Sequence, residues 1–346
     1  MAESTAPLQV EQVVKDILDT IEKEREREIV ARRYGLFDRK ETLEQIGELL
    51  GITRERVRQL EKAIVARLKG QAEQGSIPHV NEIETAISAI LNDKGEAARV
   101  SVLGEKLTAD NTKIDQARVA FLAALCPKMI VIDENDFYFL SVASAATYKD
   151  AKSITKKVDD AVKGIKAIGK PASIEVIAKE IKEADTAKAA ALTSISKQLA
   201  SLNGDWGLVK WPTVNPKNIR DKIYVILKEN GKQMHFSDIA GKIKDSDFKR
   251  KDVTTQAIHN ELIKDDRFVL VGRGIYALKE WGYKKGTVSD VITEILKKAN
   301  EPLHRDEIVK RVLKNRYVKE TTILLNLQGK KQFKRVAKAT YALAED

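Results

Sequence analysis

The chain has 346 residues, with 61 lysines and arginines against 51 aspartates and glutamates, a net charge of +10 and a pI near 9.3. That length suffices for several small domains, and the mildly basic balance is compatible with a polyanionic partner without establishing one. The single cysteine, Cys126, excludes an internal disulfide framework and a multi-cysteine zinc site, and no run reaches the roughly 18 apolar residues of a membrane helix.

The opening "MAESTAPLQVEQ" lacks a charged start and an apolar core, so no secretory signal is expected and the protein reads as cytoplasmic. "KEREREIVARR" is a charge-rich helix whose alternating signs support pairing at i,i+4, chiefly a solvated face. In "TLEQIGELLGI" (Thr42 to Ile52), Leu43, Ile46, Leu49 and Leu50 share one helical face, and Gly51 breaks the helix. In "TRERVRQLEKAIVARLKG" (Thr53 to Gly70), Val57, Leu60, Ile64, Val65 and Leu68 recur at spacings of three and four, with Thr53 as N-cap and Gly70 as stop.

Two helices joined by a glycine turn make a helix-turn-helix. Such a pair lays its second helix in the major groove, where the first residues of that helix reach base edges. Here those are Arg54, Glu55, Arg58 and Gln59. Arginine can donate two parallel bonds to guanine, glutamine can pair with adenine, and glutamate can accept from cytosine. Arg56, Lys62 and Arg67 suit phosphates. The alternative is a small helical domain whose arginines are merely solvated.

The run from Ile17 to Gly70 resembles region four of the sigma-70 family of bacterial sigma factors, through "EREREIV", "RYGL", "TLEQIGELLGITRERVRQLE" and the closing basic helix. The resemblance implies recognition of a promoter −35 element and docking on the flap of RNA polymerase. Arg54, Glu55, Arg58 and Gln59 would then be base readers, with Thr53, Arg56 and Lys62 nearer the phosphates. The loop "FDRKE" is slightly shorter than the family's and "IEKERE" slightly longer. Only about seventy residues precede the end of this unit, so a complete sigma factor is not expected.

After the polar linker "GQAEQGSIPH" the chain repeats itself. Four units each open with an amphipathic helix ("IETAISAILNDKG", "VDDAVKGIKAIGK", "IRDKIYVILKENGK", "VSDVITEILKKANE") and continue with a short second helix. Each ends in a strand-like aromatic phrase, marked by Tyr138, Trp206, Tyr276 and Tyr341 at intervals of roughly 65–70 residues, the length of a complete small domain. A third helix is clearest in "KDVTTQAIHNELIKD", and the hairpin "RFVLVGRGIYALKEW" turns at its glycines. The predicted fold is mainly α with small β-hairpin wings. A helix-turn-helix domain (1–70) precedes four tandem winged-helix-like domains (80–146, 152–213, 217–283 and 286–346).

The last two repeats resemble the HARE-HTH family, the winged-helix module of the delta subunit of some bacterial RNA polymerases, through "GKQMHFSDIAGKI", "GRGIYALKEWG", "EPLHRDEIVKRV" and "FKRVAKATYAL". Such modules bind DNA or protein. Candidate DNA contacts in the third repeat are Lys249, Lys251, Thr255 and Gln256, beside Arg250, Thr254, His259 and Asn260. In the fourth they are Lys330, Lys331, Lys334 and Arg335, with Lys314, Arg316, Lys319 and Lys338 on the same basic stretch. The third helix of the second repeat, "AKAAALTSISKQL", has little to read bases with. Linkers such as "SVASAATYKDAKS" and "WPTVNPKN" leave a rigid array or beads equally open.

His235 and His304 hold equivalent points ahead of a short helix, a structural position rather than a metal site. Cys126 reads as a small buried hydrophobe, and Trp206, Trp211 and Trp281 as hairpin packing. No Walker-type loop and no catalytic constellation stands out, so neither a cofactor, a metal nor an enzyme is expected. The leading expectation is a nucleoid-associated transcription regulator that binds double-stranded DNA, with RNA polymerase as a possible partner. The rivals are a protein-interaction scaffold and a non-specific nucleoid protein.

Overall fold

The computed structural model describes residues 8–248, 252–283 and 286–344. They fall into two compact units, Met1–Lys210 and Trp211–Asp346. Both are mainly helical with small antiparallel sheets.

The first unit opens with four helices, α1 (Val10–Asp19), α2 (Glu24–Tyr34), α3 (Leu43–Leu50) and α4 (Arg54–Glu73). Thr42 and Gln45 form a reciprocal capping box at the start of α3. Gly51 ends α3 in the left-handed conformation (φ 63°) that its lack of a Cβ allows. Thr53 then caps α4, its hydroxyl accepting from Arg56 N at 3.2 Å. Gly70 does not stop this helix, which runs three residues further to Glu73. Ala72 is buried on the same stripe as Leu68, so packing outweighs the roughly 1 kcal/mol helix penalty of glycine.

Two modules of one topology follow. The first comprises α5 (Val80–Lys94), β1 (Ala97–Arg99), α6 (Val100–Leu107), α7 (Lys113–Leu125), β2 (Met129–Ile132) and β3 (Ser141–Ser144). The second comprises α8 (Ala151–Ile168), β4 (Ala172–Ser173), α9 (Ile174–Glu180), α10 (Thr186–Ile195), β5 (Leu199–Leu202) and β6 (Asp205–Leu208). In each, the last strand lies between the other two, giving an antiparallel sheet of order first–third–second.

The second unit repeats the pattern twice. The third module has α11 (Ile219–Asn230), β7 (Met234–His235), α12 (Phe236–Asp245), α13 (Thr255–Lys264), β8 (Phe268–Gly272) and β9 (Ile275–Leu278). The fourth has α14 (Val288–Ala299), β10 (Leu303–His304), α15 (Arg305–Leu313), α16 (Glu320–Gly329), β11 (Phe333–Ala337) and β12 (Thr340–Leu343). His235 and His304 are the N-caps of α12 and α15, their side chains accepting from Ser237 N and Asp306 N. A Cβ on Gly274 (φ +70°) would stand 2.5 Å from His235 Nε2, so the turn glycine also makes room for that ring.

Register corrects one sequence equivalence. Trp206, Tyr276 and Tyr341 pair with Ala172, Met234 and Leu303, each two residues ahead of a second helix. The matching pair in the first module is Ala98 with Val142, not Tyr138. Tyr138 instead bridges to Ser196 of the second module, and its hydroxyl donates to Asp159 at 2.7 Å.

The expected linkers inside the first unit are built into its cores. One cluster joins Ile17, Val30, Leu36, Ile64 and Leu68 to Ile77, Leu91, Val119, Phe121 and Cys126, crossing the boundary expected near Gly70. Another joins Ala97, Ile132 and Ala143 to Tyr148, Ile154, Val158, Leu192 and Ile195, so "SVASAATYKDAKS" is a strand and a buried tyrosine. Cys126 lies in the first cluster, where burial pushes its thiol up to about 12, too high for a nucleophile at neutral pH.

Candidate nucleic-acid interface

A small core of Ile29, Ile46 and Val57 fixes α2, α3 and α4 against one another. Gly47 lets α3 approach the turn, because a Cβ there would lie 2.7 Å from Ile52 O. Arg25 Nη2 donates to Leu50 O at 2.7 Å, satisfying a carbonyl at the end of α3. This frame leaves the start of α4 facing solvent.

At 100° per residue, Arg54, Arg58, Lys62, Glu55 and Gln59 occupy one arc of α4 opposite Val57, Ile64 and Leu68. All five are exposed. Arg58 is held by Glu55 through two bonds, Nε to Oε2 at 2.8 Å and Nη2 to Oε1 at 2.7 Å. Gln59 donates to the same carboxylate at 3.4 Å. The Arg58 hydrogen bonds lower the Glu55 pKa, and Glu55 raises that of Arg58. Arg54 lies 3.8 Å from Glu44. The face is thus a preordered set of donors and acceptors, cross-linked by exposed pairs that a polar ligand can replace at little cost.

Two basic residues of α4 stand elsewhere. Arg56 lies beside this arc, its guanidinium donating to Gln59 Oε1 at 3.5 Å. Arg67 is not free for phosphate: it donates to Glu26 of α2 at 2.6 Å, holding that largely buried carboxyl below its usual range. Thr53 is occupied as the cap.

Third helices differ sharply between modules. In the first, α7 lies against the helix-turn-helix: Phe121 meets Tyr34 at 5.1 Å between centroids. Its buried Arg118 donates to Leu36 O (2.8 Å), Asp115 (3.0 Å) and Glu11 (2.8 Å). In the second, α10 buries Leu192 and Ile195 against β-residues of the first module. Arg99 donates to Ser194 O there, and a Cβ on Gly95 would collide with Ala187 O. In the third and fourth modules the outer faces of α13 and α16 are open. Thr255, Gln256 and Asn260 are exposed on α13, with Gln256 donating to Asn260 at 3.1 Å. The outer face of α16 carries Thr321 and Leu325, the latter 68% exposed, and no cation.

The hairpins differ too. That of the first module pairs with the second, Phe139 N donating to Ile195 O and Lys197 N to Phe137 O. The edge of β8 accepts from the fourth module at Leu270 O (Arg316) and Val271 O (Tyr317 N, 3.0 Å). Arg316 is therefore buried, not on a phosphate-facing surface, and desolvation lowers its pKa. The fourth hairpin is open: Lys330, Lys331, Lys334, Arg335 and Lys338 are all exposed, and none has an ion pair among the described residues. Lys249, Arg250 and Lys251 lie outside the described residues.

The geometry invites comparison with known proteins. Residues 23–70 match the sigma-70, region 4 family. Over 69 residues the chain is 39% identical to the RNA polymerase sigma factor SigA of a Bacillus species, covering 20% of this chain and 18% of that protein. Over 57 residues it is 44% identical to the SigA proteins of Microcystis aeruginosa and a Synechocystis species, covering 16% of this chain and 14% and 13% of theirs. The chain thus spans less than a fifth of the sigma factors it matches. The likeness falls on α2, α3 and α4, the elements that present the exposed arc.

Sequence reasoning missed Gly47 and the buried Arg118. Glycine in "EQIGELL" carried a signal, being a poor helix former inside a helix. Arg118 carried none, since its partners lie far away in sequence. Among the described residues, no group of three or more His, Cys, Asp and Glu could hold a metal ion, and no helix is long and apolar enough to cross a membrane.

Proposed function

We propose that the protein is a sequence-specific regulator of transcription that reads a −35-type promoter element in duplex DNA with the first turns of α4. The carrying observation is the exposed Arg54, Glu55, Arg58, Gln59 and Lys62 arc on the segment that matches sigma-70 region 4. Lys62 at the end of the arc and Arg56 beside it are taken for phosphates, with Thr53 at the helix start already engaged as the cap, and Lys330, Lys331, Lys334 and Arg335 add backbone contacts from the fourth hairpin. Bacterial RNA polymerase is the proposed protein partner, the nucleoid the proposed location, and no catalysis is assigned. We take the modules as winged helices, the last two of HARE-HTH type, with the boundaries set out above. The helix–strand–helix–helix–hairpin order and the first–third–second sheets support that reading.

Selection of random duplexes by the purified full chain near physiological salt tests it. An enriched motif resembling a −35 hexamer is expected, and Arg58→Ala should cost about 1–3 kcal/mol on that motif alone. An equal loss on every sequence would remove base reading from Arg58.

A second reading has its own support. The cation-free outer face of α16, with Leu325 exposed, and the packed α7 and α10 favour modules that scaffold proteins rather than read DNA. Retention of polymerase with no retention of any duplex would select it.

A further inference from the structure

The second module has lost the usual means of touching a ligand through its third helix, because α10 is packed against the first module. Its hairpin turns at Asn203–Gly204, both left-handed (φ 51° and 87°), and carries no cation at the tip. Its first helix, α8, is different. Ile154, Val158, Val162 and Ile165 fill the core, while Lys152, Lys156, Lys163 and Lys166 fall within an outward arc of about 80°. All four are exposed. Lys149 and Lys170, both exposed, stand just before and just after the helix in the chain.

Asp150 and Asp159, two acids near this face, are engaged elsewhere, and Asp160 neutralises one lysine of it. Asp150 caps α8, accepting from Ser153 N at 2.7 Å. Asp159 accepts from Tyr138 across the module boundary. Asp160 pairs with Lys163 alone, at 3.2 Å. Lys152, Lys156 and Lys166 have no acidic partner among the described residues. From Lys152 to Lys166 the stripe is about 21 Å long at 1.5 Å per residue, facing roughly a dozen charges of a duplex at one per 1.7 Å.

We propose that the α8 lysine stripe is a second nucleic-acid site, one that grips the phosphate backbone of duplex DNA without reading sequence. A lipid surface fits less well, because no large hydrophobic side chain of α8 is exposed to enter a bilayer. This site does not depend on α4 reading bases.

The test uses the full chain and a fluorescent 25-base-pair duplex of random sequence, titrated over a salt series. In the triple variant Lys152→Gln, Lys156→Gln, Lys166→Gln the slope of log affinity against log salt should fall by about 2–3, with affinity down about tenfold or more on every duplex. Circular dichroism melts establish that the variant folds. An unchanged slope and affinity would overturn the proposal, whatever Arg58→Ala does in parallel. A lowered slope, with no sequence preference in the parent chain, would support this site while removing base reading by α4. Phosphatidylserine vesicles serve as a control. Vesicle binding lost in the triple variant, with DNA binding unchanged, would assign the stripe to lipid and overturn the proposal.

Discussion

The two units use the same module in opposite ways. In the first, α7 and α10, the third helices, are buried against the module before them, while the first turns of α4 keep an exposed polar arc. In the second, α13 and α16 face solvent, and the third and fourth modules meet at the edge of β8 through Arg316 and Tyr317. Identical topology therefore does not carry identical use. What decides is the side-chain set: small and apolar residues on α10 turn that module's third helix into core.

The contrast is sharpest at two leucines. Leu192 of α10 is 1% exposed and Leu325 of α16 is 68% exposed. Leu192→Ala should cost the first unit about 3 kcal/mol, as a buried truncation that also leaves a cavity. Leu325→Ala should stay within about 0.5 kcal/mol. Chemical denaturation of each variant measures both, and similar losses would erase the distinction.

Arg118→Ala comes next. Its guanidinium links α1, α7 and the loop at Leu36, and its loss should destabilise the first unit by about 2 kcal/mol. Sequence preference at α4 should survive where the fold does.

Acid should act on the first unit through Glu26. Arg67 holds its carboxyl below the ordinary 4.5, so its contribution is fully present above that value. It is lost as pH falls through the lowered folded-state pKa. Arg67→Met should flatten this acid limb, which a denaturation series between pH 6 and pH 3 reads.

The smallest effect is expected at the other joint. Arg316 is buried with Nε and Nη2 unpaired, so its desolvation is only partly offset by the bond to Leu270 O. Arg316→Met should be neutral within about 1 kcal/mol or stabilising. A loss above about 3 kcal/mol, again by denaturation, would make the joint as rigidly specified as those of the first unit.

Local physics was legible in the sequence. Apolar spacing, Thr53 and Gly51 marked α3 and α4, and the polar arc followed from the same 3.6 period. Their helix-start position made His235 and His304 readable as structural. The failures were of range. Gly70 looked like a stop because nothing local reveals that Ala72 is buried. Tyr138 looked like a strand position because an aromatic phrase does not encode its register. Arg67 and Arg316 looked like phosphate ligands, since their partners Glu26 and Leu270 O lie more than forty positions away. The burial of α7 and α10 was hidden for the same reason, although an alanine-rich "AKAAALTSI" with few polar groups hints at close packing.

Hydrogen exchange of the full chain, free and bound to its selected duplex, tests most directly whether α4 is the one third-helix-type reader left open in the first unit. Slowed exchange across residues 53–62, with α7 and α10 already protected and unchanged on binding, is the result predicted. New protection in α7 or α10, with residues 53–62 unaffected, would contradict it.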